Sequence, residues 1–373
     1  MKIIYFKVFF ALCLVNIAQT NETLKQIHIL FRHGERSPSS SYPNDPYKDY
    51  KWPGLGYLTN KGKYQMYNLG IYLRSLYNNL LGPYYWPSIV NFTSSYADRC
   101  LMSAQLVASG LFPPKDYQIW NPDLLWQPIP IHYLPRTQDN LIAMKTKCPK
   151  YDKEFVDVHN STKVQNYNTE YTNIYQYLTE NTGMTVNDIE TVESLYNTLE
   201  IQQLNNLTLP QWVNSSIMSQ MKIIGAQNLA IYSETEYMKR MKGGFFIKTV
   251  TDLMQKALNG SNTPSINLYS GHDLTLVHVM RALNLIDTIK PEFGASLVIE
   301  LHNNSEIKIL YINKWNGNSE EQTLEECNNP CTLEKFIKAF KAVIPLNWEE
   351  ECQLNISETL LNGEHLCFLR LIL

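Results

Sequence analysis

The sequence predicts an α/β fold whose sheet core is interrupted by a smaller helical domain. Three observations carry this. Short apolar runs stop at Gly-punctuated turns near residues 31 and 270, amphipathic helical stretches follow each run, and 135–242 shows helical spacing with few strand-like runs.

The chain opens with Lys2 and Lys7 around an apolar stretch that ends at Val15, too short to span a bilayer and followed by small and polar residues. Residues 1–20 therefore read as a secretory signal removed near 18–20, with an uncleaved membrane anchor as the alternative. The mature chain is expected to be exported and to hold no stable membrane span. Residues 27–31 read as a strand that delivers Arg32-His33-Gly34-Glu35-Arg36-Ser37-Pro38 to the rim of a sheet, where ligands of open α/β sheets bind. Glu35 is expected to face solvent.

A polar, Pro- and Tyr-rich loop at 39–52 borders that segment. A helix over 59–81 follows, with Met66, Leu69, Leu73, Leu76 and Leu80 on one stripe, Thr59 as N-cap and Gly82-Pro83 as its end. Residues 89–95 form a second strand. The next helix buries Leu101, Ala104, Leu106, Val107 and Leu111, which leaves Arg99 at a helix start suited to anions. The aromatic, Pro-rich 120–133 cannot continue a helix and is expected to pack or to serve an interface.

Within the insertion, Ile174, Tyr177 and Leu178, then Val192, Leu195 and Leu199, recur at helical steps, and Gly243-Gly244 closes it. Afterwards come a helix over 245–258, a strand over 266–270 carrying Gly271-His272-Asp273, and a helix over 274–283. A hairpin of 296–302 with 307–313 and a last helix over 333–344 complete the core, leaving 21–134 and 243–373 as one α/β unit around the 135–242 insertion. The apolar end at 366–373 is too short for a membrane span.

With 44% hydrophobic and 18% charged residues and a net charge of -3, the chain has a globular balance and no basic face for nucleic acid. Removal of the signal takes away Cys13 and leaves six cysteines, Cys100, Cys148, Cys327, Cys331, Cys352 and Cys367, which suggests disulfides but permits fifteen pairings. Export is supported by sequons at Asn21, Asn91, Asn160, Asn206, Asn214, Asn259, Asn303 and Asn355, several of which are expected to carry glycan.

Arg32, His33 and Arg36 crowd positive charge into five residues. Arginine forks match phosphate oxygens bidentately, and an imidazole between them is driven neutral and so nucleophilic. The remaining histidines, among them His28, His132, His159, His278, His302 and His365, read as structural.

The spacing Arg-His-Gly-x-Arg-x-Pro at 32–38, with Ser270-Gly271-His272-Asp273 far downstream, resembles the signature of the histidine acid phosphatases. Residues 58–63, Asp98-Arg99 ahead of Leu101-Met102-Ser103, and 120–130 are similar to the prostatic and lysosomal types, and 42–47 to insect venom acid phosphatases. The resemblance implies a mixed central sheet flanked by helices on both faces, the phosphoglycerate mutase-like core, with an inserted helical domain. It further implies that His33 attacks phosphorus, that Arg32, Arg36, Arg99 and His272 hold the phosphoryl oxygens, and that Asp273 protonates the leaving oxygen, with no metal or cofactor.

Disulfides Cys148 with Cys352 and Cys327 with Cys331 are implied in the same way, and so is a homodimer through the Trp126 and His132 region. Cys100, next to Arg99, and Cys367 depart from the family pattern, and their pairing stays open. The expected activity is acid hydrolysis of small-molecule phosphate monoesters by a secreted or lysosomal enzyme. The alternatives are a catalytically silent venom or salivary binding protein on the same fold and a phosphomutase of the sister branch.

Overall fold

A computed structural model describes residues 23–354. The signal segment, Asn21, Asn355, His365, Cys367 and the apolar end lie outside the described residues. Seven strands form one mixed sheet: β1 (Leu24–Arg32), β2 (Val90–Ser94), β3 (His132–Tyr133), β4 (Ile266–Gly271), β5 (Ser296–His302), β6 (Ile307–Ile312) and β7 (Ser319–Gln322), in the order β3-β2-β4-β1-β5-β6-β7. Central β1 runs parallel to β4 and antiparallel to β5, so a parallel half and an antiparallel half meet along it.

Strand alternation sorts the core into two layers. Ile27, Ile29 and Phe31 of β1 point with Leu268 and Val298 toward the helices Asn60–Leu76 and Asp98–Leu111, which bury Met66, Leu69, Leu73, Val107 and Leu111 there. Leu30, Tyr269, Leu297 and Ile299 point the other way, toward the helices Gly243–Leu258 and Asp273–Ala282. Full burial of a side chain such as Phe31 contributes about 2–3 kcal/mol. A third apolar cluster lies among the helices between Pro149 and Met241, where Leu178, Val192, Leu195 and Leu199 meet Tyr42 and Trp348.

Several expectations are corrected. The helix opening at Thr59, whose side chain caps Gly62 N, stops at Leu76, and a separate turn Asn78–Leu81 precedes Gly82. Gly243 and Gly244 belong to the helix expected from 245, and both must be glycine because a Cβ there would lie 2.0 Å from His278 O and 1.7 Å from Val343 O. The last predicted helix ends at Ala339. The edge strands β3 and β7 escaped prediction, one being two residues long and the other polar throughout.

Two disulfides, Cys148–Cys352 and Cys327–Cys331, pair as the resemblance implied, while Cys100 is buried and free. No helix among the described residues is long and apolar enough to cross a membrane.

Candidate active site

The carboxyl ends of β1, β2 and β4 lie side by side, with Arg32 in register with Gly271 and with Ser94 in register with Ser270. His33 N donates to Gly271 O at 3.0 Å and Ser95 N to Ser270 O at 2.9 Å, so the ladders continue into the segments that bear the polar side chains. Residues remote in sequence thus converge because parallel strands end at one edge.

Nδ1 of His33 lies 2.8 Å from the Gly34 carbonyl, which fixes the proton on that nitrogen and leaves the lone pair on Nε2. Arg99 Nε donates to that Nε2 at 3.1 Å. Burial, then the positive Arg99 and Arg32, hold His33 well below the ordinary imidazole range, so it stays neutral in acid. His272 is held down to about 3, by burial and then Arg99. Its Nε2 sits 2.9 Å from Ser95 Oγ and its Nδ1 3.4 Å from Arg99 Nη2, and the two imidazoles meet edge to face at 5.7 Å.

Arg32 is 2% exposed, and its guanidinium lies 4.0 Å from the centre of the Phe293 ring. It donates to Pro291 O at 2.5 Å and pairs with Asp273 Oδ2 at 3.0 Å. Arg36 is pushed down to about 10 by burial and by the positive charges of Arg99 and Arg32. Burial works to raise the Asp273 carboxyl, yet Arg32, Lys290 and the imidazoles outweigh it and keep it well below the usual carboxylate range.

Three fixed positive charges against one negative leave an excess of two, which suits a phosphate monoester dianion. Among the described residues, no group of three or more His, Cys, Asp or Glu side chains is arranged to hold a metal ion.

Of the six predicted residues, Arg32 pairs with Asp273, His33 and His272 both meet Arg99, and Arg36 donates to Ser37 O at 2.9 Å. Glu35 does not face solvent: it is 0% exposed, with Oε1 accepting from Thr59 Oγ1 and from Asn205 Nδ2, each at 2.9 Å. It faces inward because the turn presses against a helix, as the bond from Thr59 N to Glu35 O at 3.0 Å records. His28 is structural as expected, held by Tyr269 OH and Gln26 at 3.1 Å each.

Ser95, Lys290 and Phe293 were missed. Ser95 was legible as the residue just past a strand end at the same sheet edge. Lys290 and Phe293 lie in a connection with no sequence signal, Lys290 reaching Glu193 of the inserted segment at 2.8 Å.

Residues 23–312 match the histidine phosphatase superfamily (branch 2). The chain is 32% identical to human lysosomal acid phosphatase over 342 residues, covering 89% of this chain and 81% of the relative. It is 33% identical to bovine (Bos taurus) prostatic acid phosphatase over 341 residues, covering 89% and 88%. Among solved structures, the Hafnia alvei phytase in complex with tartrate superposes with a TM-score of 0.69 at 15% identity, over 91% of this chain and 100% of that one, a likeness of fold.

Proposed function

The chain belongs to the histidine phosphatase superfamily, branch 2, and from that premise we propose that it is an exported acid phosphatase hydrolysing phosphate monoesters through a phosphohistidine on His33. The observation that carries this reading is a neutral imidazole whose Nε2 lone pair is held by Arg99, beside the Arg32–Asp273 pair.

When a monoester enters, Arg99 exchanges its contact with His33 for a phosphoryl oxygen, and Arg32, Arg36 and His272 hold the others. Nε2 forms a bond to phosphorus as the bond from phosphorus to the leaving oxygen breaks, and Asp273 gives that oxygen a proton. Water then attacks the phosphohistidine, Asp273 takes the proton back, and inorganic phosphate leaves.

Asp273 is ionised in the empty site, so it gains its proton only when the substrate's charge offsets the arginines, and low pH assists that step. His33 remains neutral under the same conditions, which favours an acid optimum.

His33→Ala should abolish an acid-labile phosphoenzyme trapped with labelled aryl phosphate and lower kcat/KM by at least about 10³-fold. Release of no phosphate by the wild type anywhere between about pH 3 and pH 7 would instead favour a silent binding protein. Transfer to a sugar acid in place of water would favour a mutase.

Export is supported by the signal-like start and by the sequons, of which Asn214 caps the helix Ser215–Ile231 through its Oδ1 and keeps Nδ2 for a glycan. The lysosome is the alternative destination. A separate 135–242 domain is supported by the apolar cluster among its helices, to which Tyr42 and Trp348 of the flanking segments also contribute. A second copy of the chain is proposed on the β3 side, where Trp120, Leu125, Trp126, His132 and Tyr133 are exposed.

A further inference from the structure

A cavity of about 730 Å³ opens beside the proposed proton donor, lined by Asp273, His272 and Arg99 but not by His33. In an in-line displacement the leaving group departs opposite the nucleophile, so this is the space such a group would occupy. Its remaining wall carries Arg136, Lys145, Lys147, Asp152, Lys242 and His278. Among the described residues Asp152 is the only carboxylate there besides Asp273, which Arg32 already engages.

The wall is built, not incidental. Asp139 accepts from the backbone N–H groups of Leu141, Ile142 and Ala143, which folds the loop carrying Lys145 and Lys147. Thr275 Oγ1 donates to Ile142 O at 2.8 Å, which ties that loop to the turn bearing Asp273, and the Cys148–Cys352 disulfide closes its end. Lys242 is 7% exposed, donates to Met144 O at 2.7 Å and stands 4.0 Å above the Tyr151 ring. Burial brings it to about 8, so it is charged throughout the acid range. His278 is 3% exposed, and its Nδ1 has no hydrogen-bond partner among the described residues, a buried polar atom whose side chain lines the cavity.

We propose that this cavity binds the leaving group through a second anionic group, so that the enzyme prefers phosphate monoesters whose alcohol carries another phosphate. The proposal rests on the phosphatase reading for its orientation, while the cation cluster stands independently of it. A carboxylate offers part of the same chemistry and serves as the second arm of the test.

The experiment compares kcat/KM near pH 5 for α,ω-alkanediol bisphosphates of three to six carbons, the matching alkyl monophosphates, and ω-phosphoryloxy carboxylates. It uses the full chain and the variant Lys145→Gln/Lys147→Gln. Calorimetric binding of the corresponding alkane bisphosphonates and alkylphosphonates runs in parallel.

After allowance for its two equivalent ends, the best bisphosphate should exceed its monophosphate by about tenfold in the wild type and by about twofold or less in the variant. Carboxylates should fall between. Equal values in the wild type, or a preference that survives the double substitution, would overturn the proposal. Tighter binding of bisphosphonates with hydrolysis of neither ester would keep the cavity's role and sink the phosphatase reading. Hydrolysis without any preference would do the reverse.

Discussion

Glu35 stands between His33 and Arg36 with its carboxyl fully buried, and its bonds to Thr59 and Asn205 join the catalytic turn to the helix Asn60–Leu76 and to the end of the helix Ile189–Leu204. Removing it in Glu35→Ala takes away the carboxylate that both side chains donate to and empties its buried place, a cost of about 1–3 kcal/mol. Burial raises the carboxyl above its ordinary 4.5, against the bonds from Asn205 and Thr59. The folded state then keeps a proton that the unfolded chain releases, so this contribution is complete below about pH 4.5 and is lost as pH rises through the raised value. Glu35→Gln keeps the shape and cannot titrate. Its stability relative to wild type in urea unfolding should therefore improve from about pH 4 to about pH 7, and a difference that stays flat would refute the assignment. The residue type alone favoured a solvated carboxylate, and only the fold brings Thr59 and Asn205 to it.

At the scale of elements, the catalytic turn and the helix Asn60–Leu76 meet backbone to backbone. A Cβ on Gly34 would lie 2.4 Å from Gly62 O, and one on Gly62 would lie 2.0 Å from Glu35 O, so each glycine makes room for the other segment's backbone. Backbone cannot move aside as a flexible side chain can. Gly62→Ala should cost about 3 kcal/mol in chemical unfolding and depress kcat by shifting His33. Gly82, with φ 61 but no neighbour within 4 Å, supplies the contrast: Gly82→Ala should cost only about 1 kcal/mol and leave turnover alone. The helix itself was legible, since Met66, Leu69 and Leu73 fall on the stripe that packs and Thr59 caps it. Its early end at Leu76 was not, because Leu80 kept the helical period across a break that local spacing does not reveal.

For the whole molecule, the exposed aromatic and aliphatic residues beside β3, with Leu125 at 68% and Trp120 at 58%, form an apolar surface at the edge of the sheet. A stable dimer buries on the order of 800 Å² per partner. Sedimentation velocity should therefore find a dimer that Trp126→Glu converts to monomer, and a wild type that is monomeric at all concentrations would end that reading. The Cys148–Cys352 bridge spans 204 residues and fastens the start of the helical segment to the end of the described chain, contributing roughly 2–5 kcal/mol by limiting the unfolded state. By itself the sequence determined six candidates for the site, the succession of the principal strands along the chain and the helices' buried faces, because strand ends, caps and apolar periods are local consequences of residue type. Only the tertiary structure decided that Glu35 is buried, that Asp273 is ionised by Arg32 and Lys290, and that Arg136, Lys145, Lys147 and Lys242 join Arg99 in a cavity beside it. Charge balance and close approach depend on which distant segments meet, and no local spacing records that.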